Sequence, residues 1–392
     1  MLAVIAGYFC LDIAPDLSHM PEGQFFAYFR PGRLLQIGEA KFSGGGAVSN
    51  TGLALNRLGT STHFIAKVGN DPFGRALCEI VSEQDPSLLE GIQVNETEST
   101  SYTLIFDPPG LDRTFINYPG TNDTFSIEDI DFNAITKAHL FHFGYPPGMR
   151  QFYLNEGDEL VALYKKVKSL GITTSLDTSF PDPTREGGKV NWKLLLERTL
   201  PFVDIFQPSV EELLYMLRHD TYQTLAESPG GVISAVKPDL LADLSDELLR
   251  LGVKIVLIKL GERGAYLRTA GKATLEQMGK ATPKDLSDWS DQQLWAPCFE
   301  VKVVGTTGSG DAAIAGFLSA ILRNTSPQQA LTMAVAVGAC SVEGPDTLSC
   351  VLTWQDTLDR INQGWHRHPL DLSPKGWWKD ETYQLWIKPK EI

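Results

Sequence analysis

Short apolar segments alternate with amphipathic segments along most of the chain. The apolar segments have the length and the branched side chains of buried strands, and they cover residues 2–6, 63–68, 138–143, 173–176, 203–206 and 253–260. In most of the segments between them, apolar residues recur at the spacing of a helix with one apolar face, as in 50–58, 159–169 and 211–217. Strands that alternate with helices predict a mostly parallel sheet covered on both faces, which is a three-layer α/β/α fold. In such a sheet, ligands bind at the carboxyl ends of the strands.

Two aromatic segments interrupt this alternation near the start of the chain. Residues 12–42 and about 97–118 have the alternating pattern of extended strands, and residues 25–29 are included in this prediction. Strands inserted there predict a small β-sheet that covers the crevice as a lid. The polar segments 225–246 and 270–296 predict surface loops or short helices.

The C-terminal segment, residues 353–392, differs in composition from the core at 1–352. The chain has 8 tryptophans, and most of them are in this segment, namely Trp354, Trp365, Trp377, Trp378 and Trp386. Tryptophan is rarely this dense in a disordered tail, because its large apolar surface favours burial. The segment is therefore predicted to be an extension that packs on the core or on a partner subunit.

The composition restricts the class of function and the compartment. The formal net charge is −14, whereas a surface that binds nucleic acid or an anionic membrane needs an excess of basic residues. The 5 cysteines form no Cys-x-x-Cys pair, which indicates free thiols in a reducing compartment. The apolar start of the chain lacks a basic leader and is predicted to be the first strand. No apolar run reaches the length of a membrane span, so a cytoplasmic protein is expected.

The segment 305–311, Gly-Thr-Thr-Gly-Ser-Gly-Asp, is the strongest sign of chemistry in the sequence. Its glycines allow a tight turn whose N–H groups point into one hollow. The apolar run that follows predicts a buried helix, whose N-terminus favours an anion. A P-loop would continue with lysine and then serine or threonine, but Asp311 follows here. Because a carboxylate can take the proton of a hydroxyl that attacks a phosphate, the segment predicts phosphoryl transfer to an alcohol.

A second glycine cluster, residues 44–46, precedes Asn50 and a predicted helix. Such a cluster is often no more than a turn, and it lacks the spacing of a dinucleotide-binding loop. A glycine bend nevertheless lets backbone N–H groups approach a polyol, and an asparagine amide can both donate to and accept from sugar hydroxyls. The cluster is therefore a candidate sugar site.

Together these segments resemble the two signatures of the ribokinase-like (PfkB) carbohydrate kinase family. The second signature is matched by residues 306–311, and the first by Gly45, Gly46, Asn50, Gly59 and Gly69. Residues 258–265 are similar to the strand and turn that border the family's nucleotide site, and the resemblance covers residues 1–350. It implies the ribokinase-like three-layer fold with a β-sheet lid, and a kinase that uses ATP and Mg²⁺.

The resemblance also implies roles for individual residues. Asp311 corresponds to the catalytic base, and the anion hole corresponds to the backbone of Gly308, Ser309 and Gly310. Substrate-binding positions correspond to Asp12, Gly45, Gly46, Asn50 and Arg113. Nucleotide-binding positions correspond to Lys259, Gly261, Gly264 and Thr306. Asp177 joins the substrate-binding candidates because it follows a predicted strand at the crevice. The alternatives are turn residues for Asp12 and Asp177, and a solvated hairpin cation for Arg113.

Three positions depart from the family pattern. Gly305 stands where the second signature has an aspartate, Ser209 where an asparagine is usual, and Val335 where an asparagine often borders the adenine. Glu212 keeps the acidic position that acts on Mg²⁺ through water in the family. The departures concern the metal shell and the nucleotide preference, and they leave the expected fold unchanged.

The expected function is an ATP-dependent sugar kinase that transfers the γ-phosphoryl group to a hydroxyl of a small carbohydrate. The alternatives are a nucleoside kinase and, because of the three departures, a non-catalytic sugar- or nucleotide-binding protein on the same fold. The expected partners are a small sugar and ATP, with no nucleic acid and no membrane, and a homodimer through the lid is a further option. The sequence does not specify the sugar.

Overall fold

The computed structural model describes residues 1–111 and 113–390. The strands in this part of the chain are β1 (Leu2–Gly7), β2 (Cys10–Pro15), β3 (Ala40–Gly45), β4 (Ser61–Gly69), β5 (Ile92–Asn95), β6 (Tyr102–Phe106), β7 (Thr114–Tyr118), β8 (Leu140–Gly144), β9 (Thr173–Leu176), β10 (Ile205–Phe206), β11 (Ile255–Lys259), β12 (Ala265–Thr269), β13 (Gln293–Ala296), β14 (Trp378–Asp380) and β15 (Leu385–Ile387). The helices are α1 (Phe25–Tyr28), α2 (Gly46–Arg57), α3 (Pro72–Gln84), α4 (Phe132–Lys137), α5 (Arg150–Tyr153), α6 (Asp158–Ser169), α7 (Trp192–Thr199), α8 (Val210–Leu217), α9 (His219–Ala226), α10 (Gly231–Ala235), α11 (Pro238–Arg250), α12 (Lys272–Leu275), α13 (Leu286–Trp289), α14 (Ser309–Leu322), α15 (Pro327–Ser341) and α16 (Trp354–Asn362).

Within the described residues, 11 strands form one sheet in the order β14-β15-β13-β12-β11-β10-β9-β8-β1-β4-β5. All neighbours from β11 through β1 to β5 pair in parallel, and the strands on the other side of β11 pair antiparallel. One apolar core joins the sheet to α2, α14 and α15, and a second core joins it to α6, α8 and α11. The predicted three-layer fold with a mostly parallel sheet is confirmed.

A separate sheet has the order β3-β2-β6-β7. It is built from the two aromatic segments near the start of the chain, so the predicted small sheet is confirmed. On one of its faces Asp12 of β2 lies opposite Thr103 of β6. The opposite face carries Phe42, Ile116 and Tyr118, which are exposed.

The structure differs from the sequence prediction in two places. Residues 25–28 form the short helix α1 instead of a strand, and Phe25 is buried against Phe106 at a ring-centroid distance of 5.9 Å. The segments predicted as loops or short helices contain most of α11, a helix of 13 residues, and the strand β13. Neighbouring polar residues hid the apolar pattern of these elements in the sequence. In the structure, Leu294 and Trp295 of β13 are fully buried.

The C-terminal segment extends the large sheet. β15 pairs with β13 through Leu294 opposite Ile387 and Trp295 opposite Trp386. Farther upstream, the N–H of Glu300 donates to the carbonyl of His366 at 2.8 Å. The segment therefore packs on the sheet edge and on the loop that leads towards residues 305–311. No helix among the described residues combines the length and the apolar composition that a membrane span requires.

Candidate active site

The carboxyl ends of the central parallel strands form a crevice. Polar or aromatic residues end or follow these strands, namely Tyr8 after β1, Tyr145 after β8, Asp177 after β9 and Lys259 at the end of β11. Helices α2 and α14 meet at the same place, because Asn50 of α2 donates to Asp311 of α14. Candidate residues from distant segments are therefore brought together.

Asp311 lies in the first turn of α14 and is 2% exposed. Asn50 Nδ2 donates to its Oδ2 at 3.0 Å, and Thr51 Oγ1 donates to its Oδ1 at 3.1 Å. The Tyr145 hydroxyl donates to Oδ2 at 2.6 Å. These donors fix the orientation of the carboxylate at the start of the helix.

Residues 305–310, here called the glycine loop, lie directly before Asp311. Gly308 has a φ of 71°, and a Cβ at this position would lie 2.3 Å from Thr347 Cγ2, so only glycine fits. Ser309 Oγ donates to the carbonyl of Thr306 at 3.0 Å and closes the loop. The first N–H groups of a helix have no partner inside it, so the loop and the start of α14 together favour an anion.

A buried ion pair lies beside the glycine loop. Lys259 Nζ donates to Asp177 Oδ1 at 2.7 Å, and a Cβ on Gly310 would lie 3.5 Å from Lys259 Nζ. Burial would lower the pKa of Lys259, but the carboxylates of Asp177 and Glu212 outweigh burial and raise this pKa, so the lysine stays charged. Burial raises the pKa of Asp177, whose Oδ2 has no hydrogen-bond partner among the described residues. A fixed positive charge therefore lies next to the candidate anion site.

The candidate sugar-binding residues form the wall on the side of the small sheet. A Cβ on Gly45 would lie 2.3 Å from Asp12 Oδ1, so the glycine allows β3 to pass close to this carboxylate. Gly46 has a φ of 79°, and a Cβ there would lie 2.4 Å from the carbonyl oxygen of Tyr8. Asn50 Oδ1 is buried without a partner in the described part of the chain. Unpaired acceptors of this kind suit the hydroxyls of a polyol.

Asp12 is 7% exposed, and its titration gives the first testable prediction. Burial, with a smaller contribution from the carboxylate of Asp311, raises the pKa of Asp12 from 3.8 to about 6. The raised pKa means that Asp12 contributes stability below about pH 4 that is lost as the pH rises through about 6. Asp12→Asn is therefore expected to stabilise the fold by about 2–3 kcal/mol near pH 8, with no gain near pH 4. Urea unfolding at both pH values measures this difference.

The same variant is expected to weaken sugar binding by about tenfold or more, because a neutral amide is a poorer acceptor for hydroxyls than a carboxylate. Asp16→Asn is the matched control, since Asp16 is an exposed carboxylate just beyond β2 whose pKa is lowered by hydrogen bonds from Ser18. It should give no gain in stability. A loss of stability in Asp12→Asn near pH 8 would show that Asp12 is a structural residue.

Arg113 connects the small sheet to the glycine loop. It lies just before β7, and its guanidinium donates to the hydroxyls of Thr306 and Thr307. The guanidinium carbon is 5.9 Å from the centre of the Phe115 ring. Arg113 therefore lies across the glycine loop and connects the small sheet to it. The hydroxyl of Thr306 already accepts a hydrogen bond from this arginine.

Glu212 and Ser209 form a capping box at the start of α8. The N–H of Ser209 donates to Glu212 Oε2 at 2.8 Å, and the N–H of Glu212 donates to Ser209 Oγ at 3.2 Å. Thr178 Oγ1 also donates to Glu212 Oε2, at 3.1 Å. Serine is as good an N-cap as asparagine, so this departure from the family pattern keeps the helix start intact. Glu212 also reaches the cavity described below.

Two nucleotide-binding candidates and two of the positions that depart from the family pattern lie in structural surroundings. Gly261 and Gly264 form the tight turn between β11 and β12, with φ values of 54° and 88°. Val335 is 3% exposed within α15 and belongs to the core. A Cβ on Gly305 would lie 3.0 Å from the carbonyl oxygen of Gly344, so an aspartate at this position would be crowded.

Two residues in contact with Asp311 were not predicted from the sequence. Thr51 directly follows Asn50, and its polar side chain gave no separate signal. Tyr145 follows the apolar segment 138–143 nearly as Asp177 follows 173–176. The rule that selected Asp177, a polar side chain at the end of a parallel strand, would also have found Tyr145.

A cavity of about 1150 Å³ lies between the small sheet and the loops after β8 and β9. Its walls include Thr103 and Asn117 from the small sheet, and Tyr8, Tyr145 and Glu212 from the core. Within the described residues, no group of three or more histidine, cysteine, aspartate and glutamate side chains is arranged to hold a metal ion.

Known proteins that are similar to this chain agree with this architecture. The sequence profile of the pfkB family carbohydrate kinase matches residues 9–354. An uncharacterized sugar kinase of Archaeoglobus fulgidus is 26% identical over 291 residues, which cover 74% of this chain and 95% of the relative. Fructokinase-2 of Zea mays is 23% identical over 380 residues, covering 92% of this chain and 95% of the relative.

Among solved structures, the ribokinase of Arabidopsis thaliana complexed with ribose and ATP superimposes with a TM-score of 0.66. It is 18% identical, and the alignment covers 91% of this chain and 97% of that one. At this level of identity the likeness establishes the fold alone. Since the family profile spans nearly the whole chain, this protein belongs to the pfkB family of carbohydrate kinases.

Proposed function

We propose that the protein transfers the γ-phosphoryl group of ATP to a hydroxyl of a small sugar. The observation that carries the proposal is the position of Asp311, a buried carboxylate in the first turn of α14 that directly follows the glycine loop. A phosphate bound in the glycine loop would lie next to this carboxylate. A sugar hydroxyl held between the two would be positioned for in-line attack.

Asp311 would act as a base late in the reaction. A carboxylate is too weak a base to ionise a free alcohol, so it would accept the proton while the bond to the leaving ADP breaks and the new P–O bond forms. The N–H groups of residues 308–310 and the ammonium of Lys259 would stabilise the charge on the transferring group. Asp12 and Asn50 would hold other hydroxyls of the sugar.

ATP and Mg²⁺ fit the residues of the crevice. The glycine loop leads directly into the start of α14, which favours an anion, and the charge of Lys259 lies beside it. Magnesium keeps several waters and is bound largely by substrate phosphates, so the phosphates of the bound nucleotide would hold it. The ribokinase solved with ribose and ATP supports both the nucleotide and the sugar.

The proposal is tested by measuring ADP release from Mg·ATP with D-fructose, D-ribose and adenosine as acceptors. Turnover with a sugar and none with adenosine supports the proposal. Turnover with adenosine alone would identify a nucleoside kinase instead. Sugar binding in a calorimeter without any ADP release would identify a non-catalytic binding protein.

We also propose that Glu212 orders water around Mg²⁺. Its carboxylate is fixed by Ser209 and Thr178, and it reaches the cavity. Glu212→Gln keeps the shape of the side chain and removes its charge, so the Mg²⁺ concentration for half-maximal activity is expected to rise by about tenfold or more. A Mg²⁺ titration at fixed ATP measures the midpoint.

Glu211→Gln is the matched control for this experiment, because the half-buried Glu211 directly precedes Glu212 in α8 and takes no part in the capping box. Its midpoint should stay close to that of the wild type. If both variants shifted the midpoint equally, the effect would be one of general charge, and the specific role of Glu212 would be wrong.

The exposed face of the small sheet supports a further proposal, a homodimer in which two such sheets pack together. Phe42 is 55% exposed and Ile116 is 50% exposed on this face. Sedimentation equilibrium of the purified protein would detect the dimer, and a monomer at high concentration would contradict it.

A further inference from the structure

Tyr145 has an unusual backbone conformation at the end of a central strand. Its φ is 64° and its ψ is 46°, in the left-handed region that residues other than glycine seldom occupy. Proline follows it, and a residue before proline is normally extended. A strained residue of this kind persists only where the surrounding structure holds it, and such residues cluster at functional sites.

The side chain of Tyr145 connects Asp311 to the cavity. Its hydroxyl donates to Asp311 Oδ2 at 2.6 Å, and its side chain lines the cavity of about 1150 Å³. Among the described residues, Asp311 and Asn50 do not line this cavity. A molecule that enters through the cavity therefore meets Tyr145 before it meets the carboxylate.

The donors on Asp311 differ in how easily a ligand could replace them. Asn50 and Thr51 belong to α2, which packs against α14, and both side chains are buried, at 6% and 0% exposure. Tyr145 belongs to a loop and faces the cavity. The Tyr145 hydroxyl is therefore the donor that an incoming hydroxyl can displace.

We propose that the Tyr145 hydroxyl holds the position on Asp311 that the acceptor hydroxyl later takes, and that it thereby protects bound ATP from hydrolysis before the acceptor binds. The inference rests on the proposed kinase function. An acceptor hydroxyl held by the sugar-binding wall displaces the phenol and reaches Asp311. A single water molecule lacks those additional contacts, so it competes poorly with the phenol for the carboxylate.

The side reaction that Tyr145 suppresses is the hydrolysis of ATP by water. The oxygen of water forms a bond to the γ-phosphorus, the bond between this phosphorus and the bridging oxygen breaks, and the proton of water passes to Asp311. The products are ADP and inorganic phosphate. The phenol itself remains a donor, because burial and the nearby carboxylates of Asp311 and Asp177 raise the pKa of Tyr145 well above its ordinary range.

Tyr145→Phe tests the proposal because it keeps the ring and removes the hydroxyl. With Mg·ATP and no sugar, phosphate release is expected to rise by about tenfold, which corresponds to the loss of one hydrogen bond to a charged group. Tyr8→Phe is the matched control. The Tyr8 ring lies 6.5 Å from the Tyr145 ring in the same cavity wall, but its hydroxyl contacts Ser101 Oγ.

The double variant Asp311→Asn/Tyr145→Phe should return phosphate release to the wild-type rate, since the extra hydrolysis needs the base. A second readout is the KM for the sugar that the wild type phosphorylates, which should fall several-fold in Tyr145→Phe, because the sugar no longer displaces the phenol. Circular dichroism and the melting temperature establish that each variant is folded.

The outcomes separate this inference from the proposed function. If a sugar is phosphorylated and Tyr145→Phe leaves phosphate release at the wild-type rate, the role of Tyr145 is wrong and the kinase function stands. If phosphate release rises in Tyr145→Phe and neither D-fructose nor D-ribose is phosphorylated, the role of Tyr145 stands and the proposed function fails for these two sugars. An equal rise in Tyr8→Phe would overturn the inference.

Discussion

Replacing Asp311 by asparagine is expected to lower kcat by about 10²–10⁴-fold while sugar and ATP still bind. Asparagine has the shape of aspartate, but it cannot take the proton of the acceptor hydroxyl. Its amide would also bring a second NH₂ group towards Asn50 Nδ2, which donates to Asp311 Oδ2 at 3.0 Å in the wild type. Steady-state kinetics measure kcat, and calorimetric titration of each ligand measures binding.

Thr51→Val is the appropriate comparison for this variant. It removes the hydrogen bond to Asp311 Oδ1 and keeps the carboxylate, so the loss of kcat should be much smaller than in Asp311→Asn. If Asp311→Asn retained most of its kcat, Asp311 would not be the base. If ligand binding fell in parallel with kcat, the variant would have damaged the site as a whole.

Replacing Lys259 by methionine is expected to reduce the free energy of unfolding by about 3–5 kcal/mol near pH 8, because it leaves Asp177 buried without its cation. The side chain of Asp177 is 1% exposed, and that of Lys259 is 13% exposed. Without Lys259, the pKa of Asp177 in the folded state rises further above its unfolded value. The loss should therefore be small near pH 4 and grow as the pH rises.

Lys254→Met provides the control for this prediction. Lys254 also pairs with a buried aspartate, Asp204, at 3.4 Å, but Asp204 keeps Lys168 at 2.6 Å. Urea unfolding at about pH 4 and pH 8 should show a smaller loss near pH 8 in Lys254→Met than in Lys259→Met. Adding Asp177→Asn to Lys259→Met should recover part of the stability, and a double variant as unstable as the single one would show that the charge on Asp177 is not the cause.

The positions of the central strands could be predicted because the signal for a buried strand is local. The prediction for 173–176 coincides with β9, and the prediction for 2–6 differs from β1 by its last residue. The same local pattern failed at 25–28, where burial of Phe25 against the small sheet favours a helix over the extended chain. It also missed β13, whose three buried residues directly follow a run of polar residues.

The sequence suggested several residues of the candidate site, though not Thr51 and Tyr145, and it gave none of their contacts. The glycine signatures identified Asn50 and Asp311 separately, although these residues are 261 positions apart and meet only through the packing of α2 on α14. Lys259 was predicted to bind the nucleotide and Asp177 to bind the substrate, but in the structure the two form an ion pair. The first contact depends on helix packing and the second on the order of strands in the sheet, and no local pattern specifies either.

The strands of the C-terminal segment have a consequence for the production of this protein. β13 lies in the sheet between β12 and β15, so one of its edges stays unpaired until residues 385–387 have been synthesised. An unpaired strand edge is a template for aggregation, and domains begin to fold from the N-terminus during translation. Slow translation or early termination would therefore leave a nearly complete kinase core with an open edge that carries Leu294 and Trp295. The yield of soluble protein should therefore depend on residues 385–387 being intact.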